Sequence, residues 1–258
     1  KLGYRLVRFY VKLQNITSKL LSSIISYVLD QKNIWTLYET DGGYDVAIGL
    51  LVKNLTDYLE FQNNFIAKFG SFVASKDVSV FSAMASFPKK YLGTTLPDYS
   101  TFYIDETESV CSIDEIDEEI LISLTNNAKQ SLLSIASQLH LTSSAIRYRI
   151  SQLEKKGIIL GYRTQINTKL LGYSYYKIDL YLNNTSIISS LREFIKQHNN
   201  ILFENICVGG SDFEFDGEFK SHEDFLSFIE QLQSLFPQKI RTFTYYKAKK
   251  IHLYKYFP

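Results

Sequence analysis

Polar side chains suited to binding DNA are grouped on one side of a predicted helix near the middle of the chain. Between residues 142 and 155, Ile146, Ile150 and Leu153 recur at helical spacing and would face a core. The side chains predicted to project from the other side or its flanks are Ser143, Ser144, Arg147, Tyr148, Ser151 and Lys155. Hydroxyl groups can hydrogen-bond base edges, and guanidinium and ammonium groups can bind guanine or phosphate. This face predicts a DNA-reading surface, and Arg149, nearer the packed side, is expected to reach backbone phosphate.

Two glycine-rich turns form a second group of candidate binding residues. The first contains Gly42, Gly43, Tyr44 and Asp45, and the second contains Gly209, Gly210, Ser211 and Asp212. Neither turn precedes a predicted helix, which phosphate-binding glycine loops require, so we discount a phosphate site. Two interpretations remain: plain hairpin turns, or sites whose backbone amides hold a carboxylate while an aspartate faces an ammonium group.

The predicted reading helix is the third of three short helices between residues 113 and 160. The first begins with a cluster of acids, which suits the positive end of a helix dipole. Ser131 and Thr142 can cap the second and third helices. Three helices with a tight turn between the last two are the layout of a helix-turn-helix. A small helical bundle without DNA contacts is the alternative.

A long internal repeat surrounds this unit. Leu2-Gly3-Tyr4 recurs at residues 171–173, and the first glycine turn recurs as the second. Each copy shows the order strand, helix, strand, strand, helix, strand, which is the ferredoxin-like βαββαβ arrangement. Helices on one face of such a sheet leave the other face uncovered. We therefore expect the two copies to pack sheet against sheet, within one chain or between chains.

The predicted fold class is α+β, with two ferredoxin-like domains flanking a three-helix winged helix-turn-helix. The predicted boundaries are residues 1–92 for the first ferredoxin-like domain, 93–112 for a linker, 113–166 for the helix-turn-helix and 167–258 for the second ferredoxin-like domain. Residues 158–166 alternate enough to predict a short strand or wing.

Composition limits the classes of function. The 258 residues carry a formal net charge of +1, so DNA binding must rely on a local surface rather than on a broad basic field. No apolar run is long enough for a membrane span. The two cysteines are far apart, without metal-type spacing or a disulfide framework, which favours a reducing cytoplasm. We predict no catalytic residue, no metal and no cofactor.

The segments IDEIDEEIL, LLSIASQLHLTSSAIRYRISQLEKKGIILGY and INTKLLGY resemble the Lrp/AsnC family of transcription regulators. The resemblance is strong over residues 113–212 and weaker over residues 1–92. It implies a helix-turn-helix followed by a βαββαβ effector domain, called RAM, which assembles oligomers and binds amino acids. Double-stranded DNA, a homo-oligomer and an amino-acid effector at the two glycine turns are therefore expected. His140 replaces the glycine usual in the family's turn, and histidine tolerates a positive φ better than most residues.

Two other classes of function stay open. Siroheme-decarboxylase-like enzymes also join helix-turn-helix and RAM-like units, but they carry histidines near the second strand of the sensor domain. This chain has no histidine at residues 35–39 or 203–206. The other class is an accessory or assembly protein of the same fold that does not bind DNA. Because Leu2-Gly3-Tyr4 stands where the second copy follows a helix-turn-helix, we also expect another such unit upstream in the natural chain.

Overall fold

A computed structural model of the chain describes residues 1–93, 102–105, 110–162 and 164–255. The first copy of the repeat consists of β1 (Arg5–Leu13), α1 (Ser18–Leu29), β2 (Ile34–Gly42), β3 (Val46–Val52), α2 (Leu55–Phe69) and β4 (Val73–Ser86). The connecting region contains β5 (Phe102–Asp105), α3 (Glu115–Asn126), α4 (Leu132–Gln138) and α5 (Ser143–Lys155). The second copy consists of β6 (Ser174–Leu182), α6 (Ile188–Gln197), β7 (Ile201–Val208), β8 (Phe213–Phe219), α7 (His222–Leu235) and β9 (Ile240–Tyr254).

The alternation along β1 illustrates how the strands are specified. Val7, Phe9 and Val11 are fully buried in a core shared with α1 and α2, and Arg8 and Tyr10 face the other side of the sheet. The helices α1, α2 and α7 each begin at a polar residue whose side chain accepts a backbone N–H. The second copy repeats this design with its own core. Among the described residues, no helix is long and apolar enough to cross a membrane.

The strands of both copies join into one closed barrel. Within each copy the strand order is that of a ferredoxin-like sheet, β4-β1-β3-β2 in the first and β9-β6-β8-β7 in the second. The edge strand β2 pairs with β9 of the other copy, and the edge strand β7 pairs with β4. Eight antiparallel strands therefore close on themselves, and the helices of the two copies cover the outside.

The sequence predicted two ferredoxin-like domains that flank the helix-turn-helix. In the structure the two copies share one barrel. Both βαββαβ orders are present, but each open sheet would leave the N–H and C=O groups of its two edges unpaired. The last strand of each copy supplies these partners to the other copy, which turns the expected stacking of two sheets into a continuous barrel. Edge pairing between residues far apart in sequence leaves no periodic signal, so the repeat pattern did not reveal it.

Two local features differ in detail from the sequence prediction. The presumed linker contains β5, which pairs with the end of β4 over residues 83–86. β1 pairs with residues 73–80 of β4. β5 pairs with the same edge of β4 beyond the point where β1 stops. In the described residues 158–162 and 164–166 the expected short strand does not form.

Buried charged and aromatic side chains fill the inside of the barrel. The Nη2 atom of Arg8, from the first copy, lies 3.3 Å from Oδ2 of Asp216, from the second. Arg8 is 8% exposed and Asp216 is fully buried. The Nζ atom of Lys177 lies 3.2 Å from Glu214 and also contacts Asp179. Burial raises the pKa of Glu214, although the charge of Lys177 opposes this shift.

The two copies contribute unequally to this interior. Glu214 and Asp216 on β8 stand where the first copy has Ala47 and Gly49 on β3. A Cβ atom on Gly49 would lie 2.3 Å from the hydroxyl oxygen of Thr36, so that position has no room for a side chain. The first copy therefore supplies Arg8 to the ion pair, and the second supplies its carboxylate.

We predict that the Arg8–Asp216 pair is strongly coupled. Asp216→Ala leaves a buried guanidinium without its carboxylate and should lower the free energy of unfolding by about 3–5 kcal/mol. The double variant Arg8→Met with Asp216→Ala should lose less than the sum of Arg8→Met alone and Asp216→Ala alone, because no buried charge is left unpaired. Urea unfolding followed by the fluorescence of Trp35, the chain's single tryptophan, measures both effects. Additive losses would show that the pair is not coupled.

Candidate nucleic-acid interface

The three helices α3, α4 and α5 pack around a small core of their own. Ile120, Ile135 and Ile146 are fully buried at its centre. The side chains of Ser131 and Thr142 accept backbone N–H groups at the starts of α4 and α5, at 3.1 and 3.2 Å, as the sequence predicted. These hydrogen bonds define where α4 and α5 begin, so the short turn between the two helices is well defined.

The turn between α4 and α5 uses the left-handed backbone conformation. His140 has a φ of 54°, in the region where glycine is usual and where histidine is tolerated better than most residues. The N–H of Leu141 donates to the carbonyl of Ala136 at 2.9 Å and closes the turn. The expected helix-turn-helix geometry is therefore present, with histidine in place of glycine.

The outer face of α5 gathers most of the predicted DNA-contacting residues. Ser144, Arg147 and Lys155 are exposed, and Tyr148 is 66% exposed. Ser143 and Ser151, also predicted to contact DNA, are half-buried at the sides of this face. The surface therefore combines hydroxyl, phenol, guanidinium and ammonium groups on a helix that is held rigidly from behind.

Arg149, expected from the sequence to contact phosphate, makes ion pairs within the helix-turn-helix. Its Nη1 atom donates to Asp114 at 2.8 Å and to Asp117 at 2.8 Å, so it ties α5 to the start of α3. The N–H of Asp117 and the guanidinium of Arg149 hold the pKa of the Asp114 carboxyl below its usual value. The acids at the start of α3, assigned from sequence to the helix dipole, thus also serve as partners for this arginine.

The start of the chain attaches the helix-turn-helix to the barrel. The N–H of Cys111 donates to the carbonyl of Lys1 at 2.7 Å, and Nζ of Lys1 donates to the carbonyl of Lys156 at 3.2 Å. Leu2 packs against the helix-turn-helix core. Sequence reasoning missed this attachment, because the repeat assigns Leu2-Gly3-Tyr4 only to the opening of β1. The reading face is consequently carried at the end of the barrel where β1 begins.

The two glycine turns lie against the last strand of the opposite copy. Gly42 has a φ of 113°, and a Cβ atom on it would lie 2.6 Å from the carbonyl oxygen of Tyr245 on β9. Gly209 has a φ of 81°, and a Cβ atom there would lie 2.9 Å from the carbonyl oxygen of Val78 on β4. The N–H of Gly43 donates to Tyr245 at 3.0 Å. Close approach between the copies is therefore one physical reason for these glycines.

The remaining residues of the two turns also make internal contacts. Asp45 accepts the N–H of Leu13 at 2.8 Å, and Asp212 accepts the N–H of Leu182 at 2.7 Å, so each aspartate anchors its turn to the end of a strand. The ring of Tyr44 stacks on Tyr10 with centroids 4.9 Å apart. The hydroxyl of Ser211 donates to Asp179 at 3.1 Å, and Gly210 lies beside Glu214. The turns thus contact the barrel interior and its seams.

Comparison with known proteins agrees with this geometry. A family model described as winged helix-turn-helix DNA-binding matches residues 113–159. Over 122 residues the chain is 30% identical to the HTH-type transcriptional regulator LrpA of Bacillus subtilis, covering 46% of this chain and 89% of that relative. Over 66 residues it is 46% identical to LrpA of Pyrococcus horikoshii, covering 26% of this chain and 47% of that relative's length.

Among solved structures, the siroheme decarboxylase NirDL has a TM-score of 0.64 at 11% identity, covering 99% of this chain and 74% of that one. Identity this low establishes likeness of fold alone. The relatives matched by sequence are named as transcriptional regulators rather than enzymes. Fold, reading helix and relatives together define a DNA-binding helix-turn-helix regulator of transcription. The chain belongs to the Lrp/AsnC family.

We predict that Arg149 stabilises the helix-turn-helix and that Arg147 does not. Arg149→Gln removes ion pairs to α3 and, allowing for solvent screening, should destabilise the helix-turn-helix by on the order of 1 kcal/mol. Arg147→Gln changes an exposed side chain and should alter stability by less than about 0.5 kcal/mol. Hydrogen exchange of the amides in α3 and α5 measures the difference. Equal protection in both variants would contradict the role given to Arg149.

Proposed function

We propose that this chain is a sequence-specific regulator that reads double-stranded DNA with the exposed face of α5. The observation that carries the proposal is the grouping of Ser144, Arg147 and Tyr148 on that face. In this arrangement the side chains of α5 enter the major groove, where Arg147 can bind guanine and the hydroxyl groups can bind other base edges. Ser143 and Ser151 flank the contact, and Lys155 binds phosphate.

The wider architecture serves this role in a defined way. We propose that residues 1–92 and 167–258 are two RAM-like, ferredoxin-like units whose joint barrel is the assembly body. Residues 93–112 connect that body to the helix-turn-helix at residues 113–166, and the protein acts in the cytoplasm. Helix-turn-helix proteins commonly read two half-sites about one DNA turn apart. A homo-oligomer of two or more chains would supply the second reading helix.

Selection of bound fragments from genomic DNA tests the reading role. Against a selected fragment, Arg147→Ala should cost about 1–3 kcal/mol of binding and relax sequence preference, because a base contact is lost. Lys155→Ala should weaken all sequences alike and flatten the log–log salt dependence by about one unit, because one phosphate contact is lost. Gel shifts and a salt titration measure these effects.

Lys19→Ala is the matched control for this experiment. Lys19 is an exposed base in the first turn of α1, outside the helix-turn-helix, so its loss should leave affinity unchanged. If the parent chain selects no fragment, the chain is an accessory or assembly protein of this fold, and the proposal is wrong. Equal losses in the Arg147 and Lys19 variants would also contradict it.

We further propose that an amino acid or related small molecule acts as effector at the glycine turns. The support is family membership together with the position of both turns against the opposite copy. A ligand bound at a seam would change how the copies pack, and a differential affinity for two packings is what shifts an equilibrium. The turns differ at Tyr44 and Ser211, so the first favours an apolar side chain and the second a polar one.

Calorimetry with the common amino acids tests the effector proposal. Tyr44→Ala should weaken binding of an apolar ligand, and Ser211→Ala should weaken binding of a polar one. Asp45 and Asp212 are poor choices for substitution, because each also anchors a strand end and its loss would disturb the fold. If no amino acid binds the parent at millimolar concentration, the turns are hairpins that pack the copies together, and the effector role is refuted.

A further inference from the structure

The helix-turn-helix lies at the barrel end where β1, β2 and β6 begin and where β3 and β9 end. Arg5, near the start of β1, registers with Val52 at the end of β3, and Thr36 near the start of β2 registers with Tyr254 at the end of β9. The start of β6 lies at the same end, where Tyr176 registers with Lys247 of β9. Lys1, which contacts the helix-turn-helix, precedes β1 there. The DNA-reading unit and the end of β9 thus share one end of the molecule.

The end of β9 is unusually basic. Residues 247–255 contain Lys247, Lys249, Lys250 and Lys255 and no acid. The matching half of β4, residues 80–86, reaches the same barrel end and has no charged residue. The two copies are otherwise built alike, so burial or strand formation does not require these lysines. The lysines therefore distinguish the second copy from the first at this end of the barrel.

A further lysine joins this group through the connection that leaves α5. Lys169 lies just before β6, and its Nζ atom donates to the carbonyl of Lys249 at 3.3 Å. Lys169, Lys249 and Lys250 are all exposed, and Lys247 lies over the ring of Tyr176 at 5.8 Å. We call Lys169, Lys247, Lys249 and Lys250 the β9 basic patch.

The patch lies within reach of DNA bound to α5. Eight strands spaced about 4.8 Å apart close a barrel roughly 15 Å across, and β1 and β6 lie on opposite sides of it. This separation is less than half of the roughly 34 Å of one DNA turn. A duplex that runs from α5 across this barrel end would therefore meet the patch.

The charges facing the patch leave it basic. Glu39 on β2 registers opposite Lys250, and its carboxylate lies 3.5 Å from Nε2 of His252. Glu218, at the end of β8, is buried and lies 2.5 Å from Nζ of the half-buried Lys89. Asp41, further along β2, registers opposite Lys247, so two carboxylates stand against the four ammonium groups and the patch keeps an excess of positive charge. Since the whole chain has a net charge of +1, such a concentration of like charge is local and favours a polyanion.

We propose that the β9 basic patch binds the phosphate backbone of DNA flanking the half-site read by α5. This inference rests on the proposed DNA-reading function and adds a second contact surface, supplied by the second copy of the repeat. Ammonium groups on flexible stems bind phosphate as point charges and read no sequence. The patch would therefore add affinity and fix the direction in which the duplex leaves the protein, without changing the preferred bases.

Duplex length and salt dependence test the patch. The variant Lys169→Gln, Lys249→Gln, Lys250→Gln is compared with the parent on a selected fragment, trimmed to its half-sites or extended by about ten base pairs on each side. On the extended duplex the log–log salt slope should fall by about two to three units, since each phosphate contact contributes about 0.9. On the trimmed duplex parent and variant should agree. Footprinting of the parent should show backbone protection in the flank.

Three exposed bases at the opposite barrel end provide the matched control, substituted as Lys76→Gln, Lys239→Gln and Arg241→Gln. This variant removes the same charge, and two of its sites lie at the beginning of β9. Equal slopes in the two triple variants would overturn the proposal, as would an unprotected flank. If the parent itself selects no DNA, the DNA-reading function fails and the patch proposal falls with it. If the parent binds DNA and the patch variant shows the same salt slope as the parent, only the patch proposal is refuted.

Discussion

Pairing of buried charge across the seam between the copies is the condition on which the barrel depends. A closed barrel removes exposed strand edges, but it also takes the inward side chains of every strand out of water. Arg8 can lie there because Asp216 of the other copy accepts its charge, and Lys177 because carboxylates of its own copy surround it. Without these pairs, burial of either cation would cost several kcal/mol. Edge pairing and charge pairing therefore act together to hold the two halves.

The same closure explains the two glycine turns. Each turn passes over the carbonyl oxygen of the opposite copy's last strand at a distance that a Cβ atom would not allow. The tyrosine of one turn and the serine of the other reach groups of the interior and its margin. The turns are thus mechanically joined to the seam. A ligand there would act on the contact between the halves before it acted on the distant reading helix.

The sequence predicted what depends on local periodicity. Alternation in β1 and its repeat in β6 predicted the strands, and Ser131 and Thr142 predicted the helix starts. It did not predict β5 or the edge pairing of β2 with β9, because backbone pairing between distant segments has no side-chain signature. The ion pairs of Arg149 were missed for a related reason. Helical spacing places it near the packed side, but it cannot show that Asp114 and Asp117 lie opposite.

Unequal charges inside the barrel determine which halves can pair with each other. Two first copies facing each other would enclose two Arg8 side chains, with Ala47 and Gly49 where carboxylates are needed. Two second copies would set a pair of Lys177 side chains against two sets of Asp179, Glu214 and Asp216. The two halves thus complement each other in charge, and neither half would complement a second copy of itself. Later mutations in either half are constrained by a neighbour encoded in the same gene.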